Sequence, residues 1–118
     1  SQGMFRALSL IINLTYIQFK KLNGCILIDD IGEGLDFERS SALIKLLIEK
    51  SKNSFNQLFM TTNDRYVMNE VSLDRWNSII RENQTCHIMN KDNSKEFFDD
   101  FRYTGLNSFD FLSMDFYK

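Results

Sequence analysis

Apolar and polar positions follow two different periods along the chain, and the places where the period changes mark out its elements. From Gln2 to Phe19, "QGMFRALSLIINLTYIQF", apolar residues recur every three or four positions, the spacing of a helix. Phe5, Leu8, Ile12, Tyr16 and Phe19 form one stripe, and Ala7, Leu10, Ile11, Leu14 and Ile17 form another. Two stripes predict a helix buried on most of its circumference. "KKLNG" ends it: two lysines suit the negative end of the helix dipole, and Gly24 can take the left-handed conformation that stops a helix.

"CILI", Cys25 to Ile28, has no polar position, as expected of a strand covered on both faces in a parallel sheet. The loop "IGEGLD" follows the acid pair Asp29-Asp30. From Phe37 to Lys52 the spacing of Leu43, Leu46, Leu47 and Lys50 against Glu38, Lys45 and Glu49 predicts an amphipathic helix with Asp36 as its N-cap. After the polar turn "KNSFN", "QLFMTT" reads as a second buried strand, and the helix between the two implies a right-handed β-α-β crossover.

"NDRYVMNEV" predicts a short helix or loop capped by Asn63 or Asp64. "WNSIIR" and "TCHIMN" alternate as the arms of a hairpin closed near Glu82-Asn83-Gln84, and "SKEFFDDF" predicts a helix. Phe97, Phe98, Phe101, Phe109, Phe111 and Phe116 read as packing residues, with the aromatic tail "YTGLNSFDFLSMDFYK" covering the sheet. The sum is an α/β fold.

A chain of 118 residues is one domain's worth, able to bury roughly two-thirds of its unfolded surface. Hydrophobic residues make up 43%, charged residues 25%, and the net charge is −2, so overall charge lends nothing to nucleic-acid binding. Cys25 and Cys86 sit far apart in apolar runs and are expected to be buried free thiols of a reducing cytosol.

Asn13, Thr15 and Gln18 interrupt the best apolar stretch before it reaches the roughly 18 residues of a membrane span. "SQGMFRALSLII" lacks the basic start and small-residue cleavage site of a signal peptide. A cytoplasmic location without a membrane partner is expected. The chain opens directly on a helix with no preceding strand, which reads as a piece of something longer.

The chemistry concentrates at Asp29 and Asp30, two like charges at the end of an apolar strand. Adjacent carboxylates repel and resist dehydration, so a cation, or a ligand carrying one, accounts for them well. The carboxyl edge of a parallel sheet is also where open α/β proteins bind ligands. A structural alternative stays open on these residues alone, with Asp29 capping the next turn and Asp30 solvated. His87, the single histidine, neighbours Cys86 on a strand, where successive side chains face opposite ways. A half-exposed, hydrogen-bonded histidine is expected there in preference to a zinc ligand.

"CILIDDIGEGLD" resembles the Walker B strand and D-loop of ABC-type ATPases: four apolar residues, Asp, an acid, four variable positions, then Leu-Asp. Asp29, Asp30, Leu35 and Asp36 fall on the matching positions. Upstream, "SQGMFRALSLII" resembles the ABC signature that opens a long helix. Downstream, "LFMTTND" resembles the switch strand, with the hairpin following as in that family. The closer resemblance is to stand-alone prokaryotic ATP-binding proteins of the RecF, SMC and OLD-like branch, in which "TGLNSFDF" also resembles a recurring tail.

The resemblance implies that residues 1–118 are the C-terminal part of an ABC-type P-loop NTPase sheet, with parallel strands and crossover helices followed by a β-hairpin and helix. It implies ATP and Mg²⁺ as cofactors. Asp29 would bind the metal, and Asp30 would be the catalytic acid that orients the attacking water towards the γ-phosphate. The family more often has Glu there, one methylene longer.

Ser1 and Gly3 would be signature residues contacting the γ-phosphate of a nucleotide held by the other subunit. Met4 stands where transporters of the family commonly have Gln, and Ser1 read locally is an ordinary N-cap. Asp36 would be the D-loop aspartate at the seam of a homodimer. Asn63 falls where a switch histidine usually sits; an amide can hydrogen-bond a phosphate oxygen but does not become a cation near neutral pH. Related ATPases act with DNA or nuclease partners, and no basic stripe in this chain chooses among them.

No Gly-rich loop followed by Lys-Ser/Thr, the Walker A pattern, occurs in the 118 residues; "IGEG" lacks the Lys-Ser/Thr. A helix-terminus contact supplies about 0.3–1 kcal/mol, whereas micromolar nucleotide binding needs roughly 8 kcal/mol. The signature alone therefore does not hold ATP, and the resemblance places the P-loop half upstream. Two other classes remain as alternatives. A receiver-like phosphoacceptor domain would use Asp29-Asp30, Thr62 and Lys91, but the sequence lacks a separate phosphoacceptor Asp on an intervening strand. A non-catalytic interaction domain with decayed motifs would account for Met4, Asp30 and Asn63.

Overall fold

A computed structural model describes residues 1–52, 54 and 56–114. Asn53 and Phe55 of the expected turn, and Phe116 of the tail, lie outside the described residues. The chain is mixed α/β and divides into two compact units, Ser1–Glu70 and Val71–Lys118. None of the helices among the described residues is long and apolar enough to cross a membrane.

The first unit runs α1 (Gln2–Phe19), β1 (Cys25–Ile28), α2 (Phe37–Lys52), β2 (Gln57–Met60) and α3 (Arg65–Glu70). β1 and β2 pair in parallel, with Cys25 opposite Gln57 and Ile28 opposite Met60. α2 is the crossover that the two parallel strands require. It buries Leu43, Ile44 and Leu47, while Lys45 on its outer side pairs with Glu70 of α3 at 3.2 Å. At the far ends of α1 and α2, Gln18 Nε2 donates to the Lys50 carbonyl at 2.8 Å.

α1 has the predicted bounds but not the predicted burial. Leu14 is buried and Ala7, Leu10, Ile11 and Ile17 are half-buried, whereas the stripe Phe5 (74% exposed), Leu8, Ile12, Tyr16 and Phe19 (78%) faces solvent. A helix apolar on two sides needs neighbours on two sides; α2 packs along α1 on one.

The strands differ from expectation in the same way. Ile28 is buried and Ile26, Leu58 and Met60 are half-buried, but Leu27 (77% exposed) and its register partner Phe59 (51%) share an open face. Cys25 lies on that face too, so it is exposed, as is Cys86, and neither is a buried thiol. α1 also stops before Gly24. Lys21, at φ +52°, takes the left-handed position, and the Lys21 and Leu22 amides donate to the carbonyls of Gln18 and Ile17, the paired bonds of a Schellman end.

The second unit opens with a 3-10 turn, Leu73–Arg75, which the strand pattern concealed. Trp76, expected to begin a strand, instead ends this turn, its indole Nε1 donating to the Val71 carbonyl at 3.2 Å. β3 (Ser78–Glu82) and β4 (Thr85–Met89) form the predicted antiparallel hairpin, with Asn83 at φ +55° in its turn. His87 on β4 is exposed. α4 (Lys95–Tyr103) and α5 (Ser108–Ser113) follow.

Leu73, Phe98, Phe101 and Phe111 make the core of this unit, with Trp76, Met89 and Leu112 against it. Phe111 lies 4.8 Å from Phe98 and 5.2 Å from Phe101 between ring centres, within the range of favourable aromatic pairs. The tail therefore packs, as expected, but as a helix. Phe97 is exposed and Phe109 half-buried, so the aromatic stripe is only partly core.

Candidate functional site

The acid pair sits where the backbone leaves β1. Ile28 before it and Ile31 after it are both buried, which anchors the loop while Asp29 is left exposed and Asp30 half-buried. The parallel ladder continues past the strand ends: the Thr61 amide donates to the Ile28 carbonyl at 2.9 Å, and the Ile31 amide to the Thr61 carbonyl at 2.8 Å. Asp29 and Asp30 are thus held beside the residues that follow β2.

Side chains tighten this arrangement. The Thr61 hydroxyl donates to Asp29 Oδ1 at 2.6 Å and accepts from the Asp30 amide at 2.8 Å. The Thr62 hydroxyl donates to the Ile31 carbonyl at 3.1 Å. Asp30 itself has φ +48°, the left-handed region that Asp enters more readily than most non-glycine residues. An open cleft of about 260 Å³ results, lined by Asp29, Asp30, Thr61, Thr62 and Asn63.

Of the residues singled out in the sequence, Asp29, Asp30 and Asn63 are therefore brought together, while Ser1, Gly3 and Asp36 lie outside the cleft lining. Asp64, not Asn63, caps α3, accepting from the Tyr66 amide at 2.7 Å. Asn63 is exposed and contributes to the cleft wall. Next to the cap, Arg65 donates to Tyr66 Oη, and this hydrogen bond raises the guanidinium pKa above its ordinary value.

Ser1 caps α1: its hydroxyl accepts from the Met4 amide at 3.4 Å and its carbonyl from the Phe5 amide at 3.1 Å. The donors at this helix start that could face an anion narrow to those of Gln2 and Gly3. Asp36 caps α2, with Oδ1 accepting from the Arg39 amide at 3.0 Å and Oδ2 paired with the Arg39 guanidinium. That exposed pair adds little stability.

Gly3 is buried against the loop after the acid pair. A Cβ at Gly3 would fall 2.1 Å from the Gly34 carbonyl oxygen, a backbone atom that cannot swing aside. The close approach that only glycine permits is thus made to Gly34 of the same chain. Gly3→Ala is expected to destabilise the protein by about 1–3 kcal/mol through this overlap, although alanine is the better helix former by roughly 1 kcal/mol. Urea unfolding measures it, and a gain in stability would show that the start of α1 has room to move.

Arg6 joins the same two segments. Its guanidinium donates to the Asp29 carbonyl through Nη2 and to Glu33 Oε2 at 2.9 Å through Nη1. Gly32, at φ +97°, lets the loop turn close to Val67 and Ser40. Sequence reasoning passed over Thr61, Arg6 and Glu33. Thr61 had one usable signal, a hydroxyl placed just beyond the apolar run of a strand whose parallel neighbour ends in two acids. Arg6 and Glu33 meet only through the fold.

The donors around the cleft are carboxylate, hydroxyl and amide oxygens, the ligand chemistry of a hard cation such as Mg²⁺. Among the described residues no group of three His, Cys, Asp or Glu side chains gathers to hold a metal. Two adjacent carboxylates suit an ion that arrives with most of its ligands already supplied by water and phosphate. Comparison of the chain with family models, with curated proteins and with solved structures returns no match.

Proposed function

We propose that this chain is the C-terminal part of an ATP-binding and ATP-hydrolysing ABC-type ATPase, working as a nucleotide-sandwich dimer. One observation carries the proposal. Asp29, Asp30 and Asn63, the Walker B and switch positions of the resemblance, line one cleft at the carboxyl ends of two adjacent parallel strands. That edge is where the ligands of such sheets bind.

In this mechanism Asp29 would hold the Mg²⁺ that accompanies the triphosphate, and the ion would supply charge neutralisation for the acid pair and the phosphates. Asp30 accepts a hydrogen bond from the attacking water and orients it in line with the γ-phosphate. Asn63 donates its amide to a γ-phosphate oxygen. The start of α1, capped by Ser1 and packed through the Gly3 Cα on Gly34 of its own chain, would offer the nucleotide of the second copy the amides of Gln2 and Gly3 and its positive dipole end. Asp36 sits at the seam between the copies while still capping α2.

A receiver-like domain has weaker support. Lys91 follows β4, which pairs with β3 in a sheet separate from β1 and β2, whereas a receiver would draw its lysine from the sheet that holds its acids.

Such an ATPase needs a Gly-rich Lys-Ser/Thr loop from outside these 118 residues. Calorimetric titration with ATP should therefore give micromolar, Mg²⁺-dependent binding to a protein that carries both segments and none to the 118 residues alone. Absence of Mg²⁺-dependent binding to the longer protein would leave the non-catalytic interaction domain as the better reading.

A further inference from the structure

We propose that Thr61 is the positioning residue of the acid pair, setting which oxygen of Asp29 is presented to a divalent cation; the inference rests on the ATPase reading above. A threonine hydroxyl has one hydrogen and two lone pairs. The Asp30 amide occupies a lone pair at 2.8 Å, which turns the hydroxyl hydrogen away from that amide. It points to Asp29 Oδ1, 2.6 Å away. With Oδ1 engaged, Oδ2 is the oxygen that meets the cation.

The backbone that carries the hydroxyl is fixed, because the Thr61 amide and carbonyl are both bonded across the ladder, to Ile28 and Ile31. The same contact holds the Asp30 amide where that residue takes its left-handed backbone conformation at φ +48°. One side chain thus bonds the carboxylate of Asp29 and the backbone amide of Asp30. Partners that orient a metal-binding carboxylate commonly change metal affinity by about 10–100-fold when removed.

The test uses Mn²⁺ alone, added to the 118-residue chain, and follows paramagnetic broadening of backbone amide signals. In the unaltered chain, millimolar Mn²⁺ should broaden the amides of Asp29, Asp30, Thr62 and Asn63. Thr61→Val keeps the β-branched shape and removes the hydroxyl; it should weaken Mn²⁺ binding about tenfold or more, while Thr61→Ser keeps it within about twofold. Circular dichroism checks that each variant is folded, and Thr61→Ala serves as the hydroxyl-free variant should valine not fold.

If the hydroxyl-free variant binds like the parent, or serine binds as poorly as valine, Thr61 is not the positioning residue. The cation reading survives that result provided Asp29→Asn abolishes the broadening. If Asp29→Asn leaves the broadening unchanged, or the parent shows none, the cation reading itself falls and takes the role of Thr61 with it.

Discussion

Asp30→Asn should lower the kcat for ATP by about 10²–10⁴-fold in a protein that carries this chain together with its phosphate loop, the usual contribution of a positioned general base. Asparagine keeps the volume and one acceptor oxygen but loses the charge and basicity with which a carboxylate holds the attacking water. It is also the replacement best suited to the backbone at this position. Asp30 has φ +48°, and Asn tolerates the left-handed region as well as Asp does. A fall in rate would therefore report lost chemistry and not a strained loop. ATP affinity should change little, since the attacking water is not part of the ground-state grip on the nucleotide. Steady-state kinetics beside equilibrium nucleotide binding separates the two, and an unchanged kcat removes Asp30 from the mechanism. Asp30→Glu restores the residue more usual in the resembled family, so it should keep measurable turnover where Asn does not.

Phe111→Ala should destabilise the unit Val71–Lys118 by about 3–5 kcal/mol, the range for removing a fully buried aromatic ring. Phe111 is fully buried, with its ring tilted against Phe98 and edge-on to Phe101, so its loss opens the centre of a cluster of four buried side chains. Small cores rarely supply more than about 3–5 kcal/mol in total, so the expected outcome is loss of this unit's fold. Hydrogen exchange would show it as vanished protection of β3, β4 and α4 amides. Phe97→Ala is the control: Phe97, beside Phe98 on α4, is 42% exposed, and its truncation should cost much less. Equal effects for the two would mean that the aromatic cluster is not the core of this unit.

How far the sequence could be read differs from element to element. α1, α2, the hairpin and α4 are visible because each carries a period of its own, the two parallel strands because each is a short apolar run, and Asp36 is readable as a cap from its place before an amphipathic run. α5 had a signal that was passed over. Asn107 accepts from the Asp110 amide at 3.3 Å and Asp110 returns a bond to the Asn107 amide at 3.2 Å, a capping box legible as Asn-x-x-Asp. The 3-10 turn at Leu73–Arg75 had no comparable mark, since three residues are too few to establish a period. Glycine most often takes the left-handed position that stops a helix, which points to Gly24, yet Lys21 occupies it.

The sequence alone determined which residues are apolar, where helical and strand periods begin and end, and that two carboxylates stand at the end of β1. These are properties of neighbours along the chain, and local sterics and hydrogen bonding express them directly. Tertiary structure alone decided which of α1's two apolar stripes is covered, which face of the β1–β2 sheet is open, and that Thr61, Arg6 and Gly3 converge on the acid-pair loop. Burial and clefts depend on residues that are distant in sequence, 32 positions apart for Thr61 and Asp29. No local period encodes which distant segment will arrive.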